Sequence, residues 1–216
     1  IKKKEKLNYQ SDKNLQLISL DKIRNNEENL AAELEINNKK RNEIAKAVKK
    51  AIENEIKALE KLKKAKFALT PEGIAISKNF NKNKGRLIWP VERGEITSKY
   101  GRHQHHLVTT AFVDNNGVDI TTSKNANVRA VFEGKVTSVL IIPGAGRVVM
   151  VSHGEYRTVY ANLQEVYVKK GDYVKPKDKL GKLLAKESGI SESHFEIWRI
   201  LASGMSTVNP SFWLSK

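Results

Sequence analysis

From about Leu15 to Leu69 the chain has neither Gly nor Pro, and its apolar residues return every three or four positions: Leu20, Ile23, Leu30, Leu34, Ile44, Val48, Ile52, Ile56, Leu59 and Leu62. That spacing lines one face of a helix and fits no strand. Alanine, leucine, lysine and glutamate dominate, and the apolar stripe is narrow, which predicts a coiled coil or a helical hairpin. Between Asn37 and Asn42 the stripe lapses into Asn-Asn-Lys-Lys-Arg-Asn. This run reads as a solvated stretch of one helix or as the tip of a turn, and the lack of Gly and Pro favours the continuous helix.

Thr70-Pro71-Glu72-Gly73 is the first breaker. Thr70 is suited to cap a new helix with Pro71 at its first position, giving a short segment from Ile74 to Phe80. Asn79 to Gly85 then reads as a polar linker. From Leu87 the texture becomes short β-rich runs separated by glycines: Val128 to Glu133, Lys135 to Ile142, Arg147 to Ser152 and Tyr156 to Ala161. Val166 to Lys175 reads as strand, Gly-Asp turn and strand. Many short strands spaced in this way predict an antiparallel all-β domain after the helical arm, an α+β chain overall.

The formal net charge is +15, yet the lysines alternate with glutamates instead of forming a stripe with stacking aromatics, which argues against nucleic acid. Anionic wall polymer or an anionic membrane surface would use the same charge. The absence of cysteine excludes disulfides and thiolate metal sites and is compatible with an oxidising compartment. No stretch is apolar and long enough to predict a membrane span. Ile1 has the look of an internal residue, so an export leader preceding it is expected to have been trimmed.

Three short motifs stand in order along the C-terminal half: Asn115 to Ile120 (Asn-Asn-Gly-Val-Asp-Ile), Tyr160 to Leu163 (Tyr-Ala-Asn-Leu) and Glu192 to Ile197 (Glu-Ser-His-Phe-Glu-Ile). With Trp89-Pro90-Val91, Ile96 to Arg102, Val151 to Gly154, Gly171 to Val174, Asn209-Pro210 and Trp213-Leu214, the ordered set resembles the LytM/lysostaphin-type zinc endopeptidases, which cut peptidoglycan cross-bridges. The pattern of that family reads H-x-G-x-D, Y-x-H-L and H-x-H-F-E. Here Asn115 stands at a ligand His, Asn162 at a catalytic His, and Glu192 at the first His of the third motif. Asp119 and His194 are the ligand positions that remain. The resemblance implies a lipoyl-like, barrel-sandwich β-domain over 87–216.

A helical arm before such a domain is similar to the EnvC group of murein hydrolase activators, most closely its Bacteroidetes-type members. That likeness implies a non-catalytic regulator of the periplasm or cell envelope, acting in cell-wall remodelling or division. It would switch on an N-acetylmuramoyl-L-alanine amidase, with peptidoglycan a further partner and the coiled coil a route into a membrane-associated complex. The groove expected to receive the partner is lined by Asn115, Asp119, Tyr160, Asn162, Glu192 and His194.

The residue chemistry points the same way. Hydrolytic zinc needs about three protein ligands and an open water position, and an amide oxygen is a poor substitute for imidazole. No catalytic residue, metal or other cofactor is therefore expected. An active endopeptidase would need a third ligand beside Asp119 and His194, with His105 nearest in chain order. His103, His105 and His106 cannot all aim at one metal from a strand. His153, before a glycine turn, is expected to be structural. A periplasmic efflux adaptor also joins a helical hairpin to a lipoyl-like domain, but there the helices interrupt the β-sequence, whereas here all helix comes first. Domain organisation is thus a helical coiled-coil arm over 1–69, a short helix and linker over 70–86, and the β-domain over 87–216. Part of the upstream helical region, such as Ile44 to Leu69 or Ile74 to Phe80, is expected to fold back over the groove and restrain it.

Overall fold

The computed structural model describes residues 2–63, 70–104, 111–186, 188–201 and 203–216, and in the first helix the side chains of residues 28–58. Helix α1 (Lys2–Lys63) runs without interruption through the Asn37–Asn42 stretch. Helix α2 (Pro71–Lys82) follows, with the Thr70 side chain accepting from the Gly73 amide at 3.1 Å as its N-cap. The expected helix start at Thr70-Pro71 is met; the helix continues to Lys82, and only a short turn remains of the expected linker.

Among the described residues twelve strands come next: β1 (Glu95–Ser98), β2 (Gly101–Gln104), β3 (Phe112–Asn115), β4 (Val118–Ser123), β5 (Asn127–Arg129) and β6 (Gly134–Ile142), then β7 (Gly146–His153), β8 (Tyr156–Val166), β9 (Tyr173–Val174), β10 (Lys179–Leu183), β11 (Ile190–Leu201) and β12 (Gly204–Val208). All the described strand pairs are antiparallel. One sheet follows the order β1-β4-β11-β8-β7-β6-β9, with β10 joined to β8, β5 to β10 and β12 to β11, while β2 and β3 form a separate hairpin. The antiparallel β-domain after helix is as the sequence predicts.

Two local expectations change. Val128 to Glu133 is strand only to Arg129, because Ala130 turns to exchange backbone bonds with Asp178 and Lys177. Val166 to Lys175 is not a hairpin. Its turn is tied to β6 by Gly171 N–H on Val136 O and by the Tyr173–Lys135 pairing, while the end of β8 pairs with β10.

The central strands are apolar on both faces because both faces are covered. On β7, Val149 and Val151 enter the core inside the β-domain, whereas Val148 and Met150 point the other way. Trp198 and Ile200 of β11 and Val159 and Ala161 of β8 share that second face, and Ile44, Val48 and Ile52 of α1 close it. These three helix residues, four apart, are at most 2% exposed. A buried Val or Ile side chain contributes about 1.5–3 kcal/mol, so the trio holds α1 firmly on the sheet. Glu55 adds a bidentate pair with the buried Arg157, at 2.6 and 3.3 Å. The stripe that predicts a coiled coil is therefore occupied, over Ile44 to Ile52, by the chain's own sheet.

Helix α2 lies elsewhere. Phe80 is fully buried, stacked on His153 and Tyr156 beside Trp213. His153 is structural, as expected: its ring bonds Glu133 O at 2.6 Å and Thr158 Oγ1 at 2.8 Å, and burial pushes its pKa down to about 3. No described helix is long and apolar enough to cross a membrane.

Candidate functional site

β4 and β11 are neighbours in a register that sets Asp119 opposite His194, and β11 in turn sets His194 opposite Ala161 of β8. Asp119 and His194 therefore stand side by side on the sheet face that α1 crosses. The turn from β3 into β4 brings Asn115 beside them. Its Oδ1 accepts from Gly117 N–H at 3.0 Å, and its Nδ2 donates to Asp119 Oδ2 at 3.3 Å and Ser98 Oγ at 3.1 Å. Gly117 is required by close approach, since a Cβ there would lie 2.1 Å from Phe195 O.

Buried charges are tolerated only when paired and hydrogen-bonded, and this site is arranged accordingly. His194 Nδ1 donates to Asp119 Oδ1 at 2.6 Å and Nε2 to Glu196 Oε1 at 2.9 Å. Glu196 Oε2 accepts from Trp198 Nε1 at 2.6 Å. Arg41 of α1 reaches down to Asp119 Oδ2 with a terminal nitrogen at 2.5 Å and Nε at 3.2 Å, and its other terminal nitrogen is held by Asn38 Oδ1 at 3.2 Å. Asn38 also donates to Phe112 O at 3.0 Å. Burial alone would push the Asp119 carboxyl up, but His194 and Arg41 offset this and hold it at about 2. Burial would push His194 down, yet the two carboxylates raise it to about 10, so it is an imidazolium at neutral pH.

Of the six residues expected to line the groove, Asn115, Asp119, Asn162, Glu192 and His194 come together on this side of the sheet. Asn162, in the left-handed region at φ 63°, donates to Glu192 O at 3.2 Å, and the Glu192 carboxylate pairs with Lys186 at 3.0 Å. Tyr160 does not join them. The pleat turns it into the opposite core, where its hydroxyl accepts from Val131 N–H at 3.0 Å and from Thr158 at 3.1 Å. His103 lies on β2 with Nδ1 3.1 Å from Gly101 O; His105 and His106 fall outside the described residues.

The helix over the groove is α1, but with Asn37, Lys40, Arg41 and Ile44, so the covering residues lie N-terminal to the expected Ile44 to Leu69 segment and share only Ile44 with it, while Phe80 of the other expected segment packs elsewhere. Between these and Asp119, Asn162, Glu192 and His194 a cleft of only about 30 Å³ remains. Sequence reasoning missed Arg41, Asn38, Glu196 and Trp198. The signal for the first two was present: the stripe lapses where the helix passes from apolar sheet to polar groove.

The zinc implied by the resemblance does not fit this donor set. Both ring nitrogens of His194 are already engaged, Nδ1 with Asp119 and Nε2 with Glu196. The Asn115 amide nitrogen, not its oxygen, is turned to Asp119, and an arginine already holds Asp119. Among the described residues no group of three or more His, Asp or Glu is placed to hold a metal ion.

Comparison with known proteins agrees on the domain type. Residues 113–210 match peptidase family M23. A Haemophilus influenzae protein described as an uncharacterized metalloprotease is 35% identical over 119 residues, which is 52% of this chain and 25% of that protein. The peptidoglycan DD-endopeptidase ShyB of Vibrio cholerae is 33% identical over 131 residues, 58% of this chain and 29% of the enzyme. Among solved structures, a zinc-containing peptidase from Vibrio cholerae is 28% identical with a TM-score of 0.46, covering 59% of this chain and 40% of that one. The chain thus spans less than a third of either curated relative. Residues 113–210 thus match peptidase family M23 (LytM-type), are similar in sequence to a peptidoglycan DD-endopeptidase, and are preceded by a helix that crosses the groove.

Proposed function

We propose that this chain is a non-catalytic regulator of the cell envelope, whose M23-type groove binds and activates an N-acetylmuramoyl-L-alanine amidase once α1 is lifted from it. The observation that carries this reading is Arg41 on Asp119. A groove whose metal-ligand carboxylate is bonded to a guanidinium of its own chain is arranged for protein contact rather than for holding an activated water. Asn115, Asn162 and Glu192 at the positions where the resembled family carries histidines support the same reading, since neither amide exchanges a proton near neutral pH. The positive charge suits work beside anionic wall polymer.

The test is dye release from labelled peptidoglycan sacculi, by the chain alone and with a purified amidase from the same genome. The chain alone is expected to release nothing, and to stimulate the amidase more strongly when α1 is undocked. The relatives' names favour one other reading, a zinc endopeptidase. Release of cross-bridge peptides by the chain alone, abolished by His194→Ala, would establish that reading and overturn the first.

A further inference from the structure

If the groove is a protein-binding surface, as the preceding reading holds, its chemistry names what it binds. We propose that the pocket at Asp119 is a guanidinium site. It takes an arginine carried on an amphipathic helix: Arg41 of α1 when the chain is closed, and an arginine of the partner when α1 is displaced.

Four observations define the ligand. Arg41 delivers two N–H groups of one planar fork to a single carboxylate oxygen, with its third nitrogen steadied by Asn38 one turn earlier, a geometry that an ammonium cannot reproduce. Its side chain is 15% exposed and that of Asp119 is 2% exposed, so the pair is shielded from solvent. The other oxygen of Asp119 is taken by His194, whose remaining nitrogen is taken by Glu196, so one cation is accepted through Oδ2 and no more. Beyond Arg41, the residues that enter the apolar face are Ile44, Val48 and Ile52. The recognition pattern is thus an arginine followed at three, seven and eleven positions by aliphatic residues on one helix face.

The same contacts explain why a metal is refused. A hydrolytic zinc ion needs about three protein ligands, and here the Asn115 amide nitrogen faces Asp119 while Arg41 occupies Asp119 Oδ2, whereas a guanidinium needs only that one carboxylate oxygen.

The test uses the full chain carrying Val48→Asp, which undocks α1, and fluorescein-labelled peptides of residues 30–56 read by anisotropy. One peptide has Arg41, a second Arg41→Lys and a third Arg41→citrulline, which keeps the shape and removes the charge. The arginine peptide is expected to bind, the citrulline peptide at least tenfold more weakly, and lysine in between. The unsubstituted chain, its groove filled by α1, should bind all three more weakly than the undocked chain does. Equimolar zinc should leave the arginine peptide bound. Equal binding of arginine and citrulline peptides, displacement by zinc, or no binding of the arginine peptide would each overturn the proposal. A second undocked chain, with Ile44→Ser and Ile52→Ser in place of Val48→Asp, must give the same ranking, so that misfolding of the first variant does not decide the matter. If the peptides rank as expected but the chain never stimulates an amidase, the guanidinium site stands and the proposed activator role falls. If an amidase is stimulated but arginine and citrulline peptides bind alike, the activator role stands and the guanidinium site falls.

Discussion

Val48→Asp is expected to detach α1 from the sheet and, on the proposed regulator reading, to raise stimulation of an amidase by about tenfold or more. Val48 is completely buried among Met150, Val148 and Trp198, in the middle of the docked stretch. Placing a carboxylate there costs several kcal/mol even after relaxation, comparable to what the three aliphatic side chains contribute together. The ion pairs at either end, Arg41 with Asp119 and Glu55 with Arg157, reach only to polar groups and cannot hold the helix once its apolar middle is lost. Hydrogen exchange gives a readout that does not depend on the partner. Amides of 37–56 should lose protection while β7, β8 and β11 keep theirs. Retained protection over 37–56 in the variant would show that docking rests on something other than this apolar face.

His194→Ala is expected to be costly for a different reason. It removes the cation shared by Asp119 and Glu196, whose side chains are 2% and 1% exposed. Breaking a buried ion pair by deleting one partner costs about 3–5 kcal/mol. For a chain of this size that corresponds to a melting temperature lower by roughly 10 °C. The pH dependence carries the signature. His194 is raised from 6.5 to about 10 in the fold, so its contribution is complete below pH 6.5 and is lost as the pH rises toward 10. On the acid side, His153 is held neutral, from 6.5 down to about 3, so stability falls as the unfolded chain takes up that proton below 6.5. Asp119, lowered from 3.8 to about 2, adds a further loss between those values. Thermal melts of the natural sequence should therefore peak near neutrality, and His194→Ala should remove the alkaline decline while leaving the acid one. An unchanged alkaline decline would mean that His194 is not the imidazolium its two carboxylate partners require.

Much of this architecture was legible because period and punctuation carry it. The helix before Pro71, the Thr70 cap and the glycine-punctuated strands follow from spacing alone. The run Arg147 to Ser152 was also readable as strand, but the reason for its unbroken apolarity was not. It needs a cover on each face, and no local pattern says that α1 supplies one of them. The same limit explains the coiled-coil expectation. A narrow stripe of Ile44, Val48 and Ile52 records that something apolar is opposite, not whether it is a helix or a sheet. In the site, Asn115, Asp119, Asn162, Glu192 and His194 were found through the ordered motifs. Tyr160 was misplaced because its neighbours in the motif face the groove while the pleat turns it inward. Arg41 was missed because an arginine in a lysine-rich helix looks solvated until the chain brings Asp119, 78 residues later, beneath it.

Whether this groove holds a metal or an arginine is decided most directly by its zinc content. The Val48→Asp chain, with α1 lifted from the groove, would be loaded with equimolar zinc, dialysed and assayed for metal alongside incubation with sacculi. The arrangement of His194, Asn115 and Asp119 predicts zinc far below one per chain and no released fragments. One zinc per chain together with released cross-bridge peptides would contradict it and make the domain a working peptidase held shut by its own helix.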